Sequence, residues 1–266
     1  MRKKITFLAI LCVVCVLTFS SATYAGFSKQ YNPQVDNLQF SVATQENMMI
    51  STSGNAGTFR DNIPFSELIE ENITLNPVAA VVSENSINLF DGANVANQND
   101  YIKFTLYFSG SNDMDVYLAG STAGTVVDSI KIENSIFTTE QINKMIDSIR
   151  IGFLAYTTRE TPTGSGIEIN YDPIKTNIYS VNAKTDASYV GGLTYNTFTN
   201  IGHTQGILED VVLLSTHANK VSKLDVYIWL ESKDVSCMES IFNSSLKINL
   251  RFLAVNVESG DDVVSD

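Results

Sequence analysis

Lys223-Leu224-Asp225-Val226-Tyr227-Ile228-Trp229-Leu230-Glu231 carries an aliphatic residue at every second position. Strict period-two alternation belongs to a strand with one face in a core. Leu246, Ile248, Leu250, Phe252 and Ala254 repeat the pattern, with Lys247, Asn249 and Arg251 between them. The two stretches read as a strand pair at the middle of a sandwich. Working outward, Leu38, Phe40 and Val42 begin another alternating strand, and residues 101–119 read as a hairpin turning at Ser109-Gly110-Ser111-Asn112-Asp113. Val211–Ser215 is a continuous apolar run, as expected of a buried strand. The period changes once: Ile142, Met145, Ile146 and Ile149 follow helical spacing, and Thr138 with Gln141 three residues later forms a capping-box pattern. A helix over Thr139–Ser148 running directly into a strand from Ile149 is expected. Thr161–Gly166 reads as a loop, and 167–205 as a long excursion with short strands. The expected fold is mainly β, a jelly-roll-like antiparallel β-sandwich with one or two short helical inserts.

The N-terminus reads as an export signal. Arg2, Lys3 and Lys4 precede an apolar run from Ile5 to Phe19, and small residues prepare a cut after Thr23-Tyr24-Ala25, with Ser20-Ser21-Ala22 as the alternative. The run is short for a membrane span of about 20 residues. Cleavage removes three of the 17 basic residues and none of the 29 acidic ones, leaving 14 against 29 and a net charge of −15. Such a polyanion repels nucleic acid and anionic membranes. Cys12 and Cys15 leave with the signal, so Cys237 has no intramolecular disulfide partner. The expected organisation is a signal over 1–25, one β-sandwich domain over 26–257 with an N-terminal arm at 26–36, and an acidic disordered tail at 258–266. A secreted, extracellular or cell-surface protein follows from that reading.

Patterns for catalysis are weak. The histidines, His203 and His217, form no His-Glu-x-x-His pair, no Gly-x-Ser-x-Gly elbow occurs, and Cys237 has acidic neighbours in Asp234 and Glu239. Two oxygen-rich stretches suggest either calcium ligation or plain turns: Asp91, Asn94, Asn97, Asn99 and Asp100, and Asn112, Asp113 and Asp115. No catalytic residue, metal or cofactor is assigned. The unusual feature is aromatic, because positions opposite the aliphatic faces include Tyr101, Tyr107, Tyr117, Tyr156, Tyr227 and Trp229. Either the helix and the 167–205 excursion cover that face, or it is an exposed platform for sugars or a neighbouring subunit.

The segment Thr23-Tyr24-Ala25 before Gly26-Phe27-Ser28, followed by Leu38-Gln39-Phe40-Ser41-Val42-Ala43, is similar to the start of exported proteins of the camelysin/TasA-like group of Gram-positive bacteria. Val226-Tyr227-Ile228-Trp229-Leu230-Glu231, then Cys237, then Ile248-Asn249-Leu250-Arg251-Phe252, resembles the C-terminal strands of related surface proteins. The resemblance implies a jelly roll processed by a dedicated signal peptidase, and in some members assembled into matrix fibres in which the freed arm adds a strand to the next subunit. The metalloprotease activity attached to the camelysin name finds no zinc motif here. The expected function is a non-enzymatic structural protein of the bacterial cell surface or biofilm matrix, partnered by itself or a related surface subunit. The alternative is a carbohydrate-binding or adhesive module. Phe27 and Tyr31 on the arm, and Tyr101, Tyr107, Tyr227 and Trp229 on the sheet face, are the candidate assembly or ligand surface.

Overall fold

The computed structural model describes residues 39–43, 48–64, 67–68, 75–119, 130–133, 138–163, 166–187, 194–199, 211–234, 237 and 245–257. All of these fall in the unit Pro33–Asp266. The export signal, the whole of the arm, His203 and the acidic tail lie outside the described residues.

Along the chain the strands are β1 (Gln39–Ala43), β2 (Met48–Ser51), β3 (Asn62–Pro64), β4 (Pro77–Ser83), β5 (Ser86–Asp91), β6 (Asn94–Val95), β7 (Ile102–Gly110), β8 (Met114–Ala119) and β9 (Ile130–Glu133). Helix α1 (Thr139–Ser148) follows, then β10 (Ile149–Thr163), β11 (Gly166–Tyr179), β12 (Thr185–Ala187), β13 (Thr194–Asn196), β14 (Val212–Thr216), β15 (Val221–Glu231) and β16 (Ser245–Asn256). They form a β-sandwich. One sheet runs β14-β8-β16-β1-β3, with β9 paired to the start of β16. In the other, β15 pairs with β10 on one edge; β7 and then β4 share its other edge. β11 flanks β10, β2 flanks β7, and β4 continues into β5 and β6.

The two stretches that define the fold are therefore not paired with each other. β15 and β16 are each an interior strand of a separate sheet, and their aliphatic faces meet across the sandwich. Leu224, Val226, Ile228 and Leu230 pack in one core with Ile248, Leu250, Phe252 and Ala254. The Phe252 ring stands edge-on to Phe108 at 5.3 Å and to Phe153 at 6.3 Å, which ties the sheets together. β1 and β4 depart from antiparallel order, since β1 runs parallel to β16 and β4 parallel to the end of β15.

Residues 101–119 are not a hairpin. β7 joins the sheet of β15 while β8 joins that of β16, so the turn after Gly110 carries the chain across the sandwich. Local alternation is identical in the two arrangements; only the distant partners differ. The loop expected at Thr161–Gly166 is also shorter than its composition suggested. β10 and β11 form one long antiparallel ribbon from Ile151/Tyr179 to Thr163/Gly166, with a bulge at Ala155/Tyr156. Beyond that bulge most side chains on both strands are exposed, which erases the periodicity that marks a half-buried strand.

Helix α1 has the capping box its sequence announces. The Gln141 N–H donates to Thr138 Oγ1 at 3.3 Å, and the Thr138 N–H donates to Gln141 Oε1 at 2.9 Å. Its Met145 and Ile146 enter the main core, so α1 does not cover the aromatic sheet face. Among the described residues no helix is long and apolar enough to cross a membrane.

Candidate binding face

The face of β15 turned away from the main core carries Lys223, Asp225, Tyr227, Trp229 and Glu231, as alternation requires. Register sets Tyr107, Thr105 and Lys103 of β7 beside Lys223, Asp225 and Tyr227, and sets Tyr156, Leu154, Gly152 and Arg150 of β10 along the other edge. This face is divided into a closed half and an open half.

The closed half surrounds Trp229, which is fully buried, and Tyr227, which is nearly so. The β4–β5 hairpin lies over them with Val78, Ala80, Ile87 and Leu89, joined by Ile178 of β11 and Tyr195 of β13. The cover comes partly from the 167–205 excursion, as one reading of the sequence expected, and partly from a hairpin nearly 140 residues upstream of Trp229. Beneath it lies a buried polar knot. Trp229 Nε1 and the Tyr195 hydroxyl both donate to Glu231 Oε2, at 3.1 and 2.7 Å. Arg150 donates from Nε to Asp186 at 2.6 Å, from one terminal nitrogen to Asp234 at 2.7 Å, and from the other to the Asp147 carbonyl at 2.6 Å. Burial works against the Arg150 charge, but Asp186 and Asp234 outweigh it and hold the guanidinium protonated. Burial raises the Glu231 carboxyl above the ordinary range despite its three donors. Cys237, buried beside this knot, has its thiol pushed up to about 12 by burial and by the charges of Glu231 and Asp234.

The open half centres on Asp225, itself buried. Thr105 Oγ1 donates to its Oδ1 at 2.7 Å and the Tyr156 hydroxyl to its Oδ2 at 2.8 Å. Two ammonium groups flank it at longer range, Lys103 Nζ at 3.6 Å and Lys223 Nζ at 3.5 Å. Lys103 sits 4.9 Å from the Tyr227 ring centre; Lys223 sits 3.9 Å from that of Tyr156 and 5.9 Å from that of Tyr171. Tyr107 and Tyr171 meet edge-on at 5.8 Å, and Gly54, at φ +70°, lies against the Tyr107 ring where any Cβ would stand 2.9 Å from it. Burial raises the hydroxyl pKa of Tyr107, Tyr156 and Tyr171, with the Asp225 charge adding to it at Tyr107 and Tyr156. For Lys103, burial opposes the charge, yet the Tyr227 hydroxyl and Asp225 hold its pKa above the usual value.

Of the sequence-derived candidates, Phe27 and Tyr31 lie outside the described residues. Tyr227 and Trp229 are sealed in the closed half, while Tyr101 stacks on Tyr227 at 6.4 Å and, like Tyr107, stays half-exposed. Tyr117 belongs to β8 and so to the other sheet. Sequence reasoning missed Lys103, Lys223, Asp225 and Tyr171. A lone Asp in a Val/Ile-rich strand, two residues from a Lys, was the available signal. The oxygen-rich loops serve as turn fasteners: Asp100 accepts from Asn76 Nδ2 and the Asn97 N–H, Asp113 from the Ala218 N–H, and Asp115 from Ser215 Oγ. Among the described residues no group of three or more His, Cys, Asp or Glu is placed to hold a metal. His217 is exposed and meets Asp113 at 3.3 Å.

A second concavity lies where β14 faces the β10–β11 ribbon, a groove of about 480 Å³. Ala155, Ile174, Leu213 and Leu214 give it apolar walls; Lys175 and Lys220 stand among its polar groups. What the fold and these two surfaces define is a mainly-β sandwich with a half-open tyrosine–lysine face and a grooved sheet edge. No protein-family model matches the chain, and no curated protein matches it.

Proposed function

We propose that this chain is a non-enzymatic structural protein of a bacterial cell surface or extracellular matrix, assembling by lending its N-terminal arm to the sheet of the next copy. The observation that carries the reading is the edge of β14. Among the described residues this strand pairs with β8 alone. Away from β8, and among the described residues, the Val212 carbonyl accepts from side chains, Lys175 Nζ at 3.0 Å and Asn177 Nδ2 at 3.4 Å, and the Ser215 carbonyl from Ser222 Oγ at 3.4 Å. A grooved edge of this kind accepts an added strand through main-chain hydrogen bonds, with the walls receiving alternate side chains. The arm supplies a matching pattern, since Phe27, Tyr31 and Val35 would share one face once the segment is extended along the edge. β1, directly after the arm, already enters the sheet of β16 in parallel, so strand addition by this end of the chain has a precedent within the fold. Contacts from one copy's arm to another's edge are heterologous and build open filaments.

The test compares the chain begun at Gly26 with the chain begun at Asn37, by negative-stain microscopy and sizing chromatography. Filaments from the first and monomers from the second are expected, and excess arm peptide should shorten the filaments. Monomers from both, or filaments from both, refute strand donation.

A further inference from the structure

The open half of the aromatic face has a donor and acceptor balance that specifies a ligand class. The carboxylate at its centre, Asp225, is buried and already accepts a hydroxyl proton on each oxygen. The two ammonium groups stand beyond short hydrogen-bond range of it, at 3.5 and 3.6 Å, and each carries three N–H donors. Lys103 has 44% of its side chain exposed. The surface therefore presents positive charge, N–H groups and tyrosine rings to solvent, and keeps its acceptor beneath them.

We propose that this half-face binds a carboxylated polysaccharide, with Lys103 and Lys223 pairing its carboxylates while Tyr107 and Tyr171 pack against the apolar faces of its sugar rings. Two further features support the assignment. The row from Tyr101 to Tyr107 runs about 20 Å along one strand, a shape suited to a polymer laid across it. Cation–π contacts with Tyr227, Tyr156 and Tyr171 hold both lysines in place before any ligand arrives, which lowers the ordering cost of binding. The chain as a whole is acidic, at −12. Even so, a Debye length of about 8 Å at physiological salt screens remote carboxylates while leaving direct lysine contacts effective. The inference does not depend on strand donation, because it uses a different surface.

The experiment is calorimetric titration of the chain from Gly26 with polygalacturonate, with neutral dextran and with a single-stranded DNA oligonucleotide, at 50 and 300 mM NaCl. Polygalacturonate should bind, more weakly at the higher salt, and dextran and DNA should not. Lys103→Gln and Lys223→Gln should each weaken binding about tenfold. Lys144→Gln on helix α1, an equal change in charge, should leave it unaltered. Unchanged Trp229 emission would establish that each variant is folded; Lys103→Gln alters the more exposed lysine and serves if Lys223→Gln does not fold. Absence of polygalacturonate binding at 50 mM, equal binding of dextran or DNA, or wild-type affinity in a folded Lys103→Gln protein would each overturn the proposal.

Discussion

Whether Trp229 is sealed rests on how closely the β4–β5 hairpin sits on β10, and Gly152 measures that distance. A Cβ added there would stand 2.6 Å from Ile87 Cδ1, 3.0 Å from Trp229 Cζ3 and 3.2 Å from Ile178 Cδ1. Carbon atoms in contact sit roughly 3.5–4.0 Å apart, so all three neighbours must yield. The two isoleucine methyls are chain ends and can turn aside. The indole cannot, being fully buried and tied through Nε1 to Glu231. Overpacking of this kind costs about 1–3 kcal/mol, against roughly 0.5 kcal/mol recovered by removing glycine's freedom in the unfolded chain. Gly152→Ala is therefore expected to lose about 1–2 kcal/mol, or on the order of 2–8 °C in Tm for a chain of this size. Thermal melts followed by the emission of the single tryptophan read both the loss and its location. Shortening the obstructing side chain should relieve the strain. In the Ile87→Val background, which itself costs about 0.5–1.5 kcal/mol, the Gly152→Ala penalty should fall by about 1 kcal/mol. A neutral or stabilising Gly152→Ala, or strict additivity with Ile87→Val, would refute the packing of the hairpin over this face and return Tyr227 and Trp229 to the surface available for ligands.

Arg150→Met takes the guanidinium from buried Asp186 and leaves Asp234 its contact with Lys184 Nζ at 3.3 Å, and should cost about 3–5 kcal/mol in urea unfolding; a loss under about 1 kcal/mol would refute the knot as drawn. Because burial raises the Glu231 pKa, its stabilising contribution is whole below the unfolded value of about 4.3 and is lost as pH climbs through the folded one. The Tm of Glu231→Gln should therefore gain on that of the wild type between pH 4 and 7, and the opposite slope in paired melts would contradict the burial. Cys237, with its thiol at about 12 and no exposure to speak of, should resist Ellman's reagent at pH 8 until guanidinium unfolds the chain. Reaction within seconds in the native protein would show otherwise. Tyr156→Phe removes one donor from buried Asp225 and keeps the ring, so it should cost about 1–3 kcal/mol and weaken polygalacturonate binding while leaving filament formation intact. Equal damage to both would refute the assignment of the hydroxyl to the face rather than the groove.

Strands buried on one side and helices with explicit caps were legible in the sequence, because their signals are local. β15, β16, β14 and α1 each carry a period or a cap within a dozen residues. Sheet membership was not legible, since β7 and β8 have the same alternation whether the turn between them folds back or crosses over. The outer half of the β10–β11 ribbon escaped for the opposite reason. With most residues there wet on both faces, Thr157–Thr163 and Gly166–Asp172 show no contrast between sides. At the candidate site, tyrosines and a tryptophan suit both a wet platform and a covered face. What decides between these is the arrival of Ile87 and Tyr195 from distant parts of the chain, and no pattern within β15 records it.

Tyr156 joins the two surfaces to which function is assigned. The residue lines the groove beside β14, and its hydroxyl donates to Asp225 under the open half of the face. The bulge at Ala155/Tyr156 occurs at this same residue, where the β10 ladder to β15 also ends. A bulge adds a residue to one strand and re-aims its neighbours, and Tyr156 lies at that irregularity. A strand entering the groove would bear on this residue; a carboxylated ligand drawing Lys223 outward would lift the ammonium from its ring, 3.9 Å away. Each event alters the packing on which the other depends. If both proposals hold, reciprocity of coupling requires that polygalacturonate shift the filament equilibrium to the same degree that filament formation shifts polygalacturonate affinity.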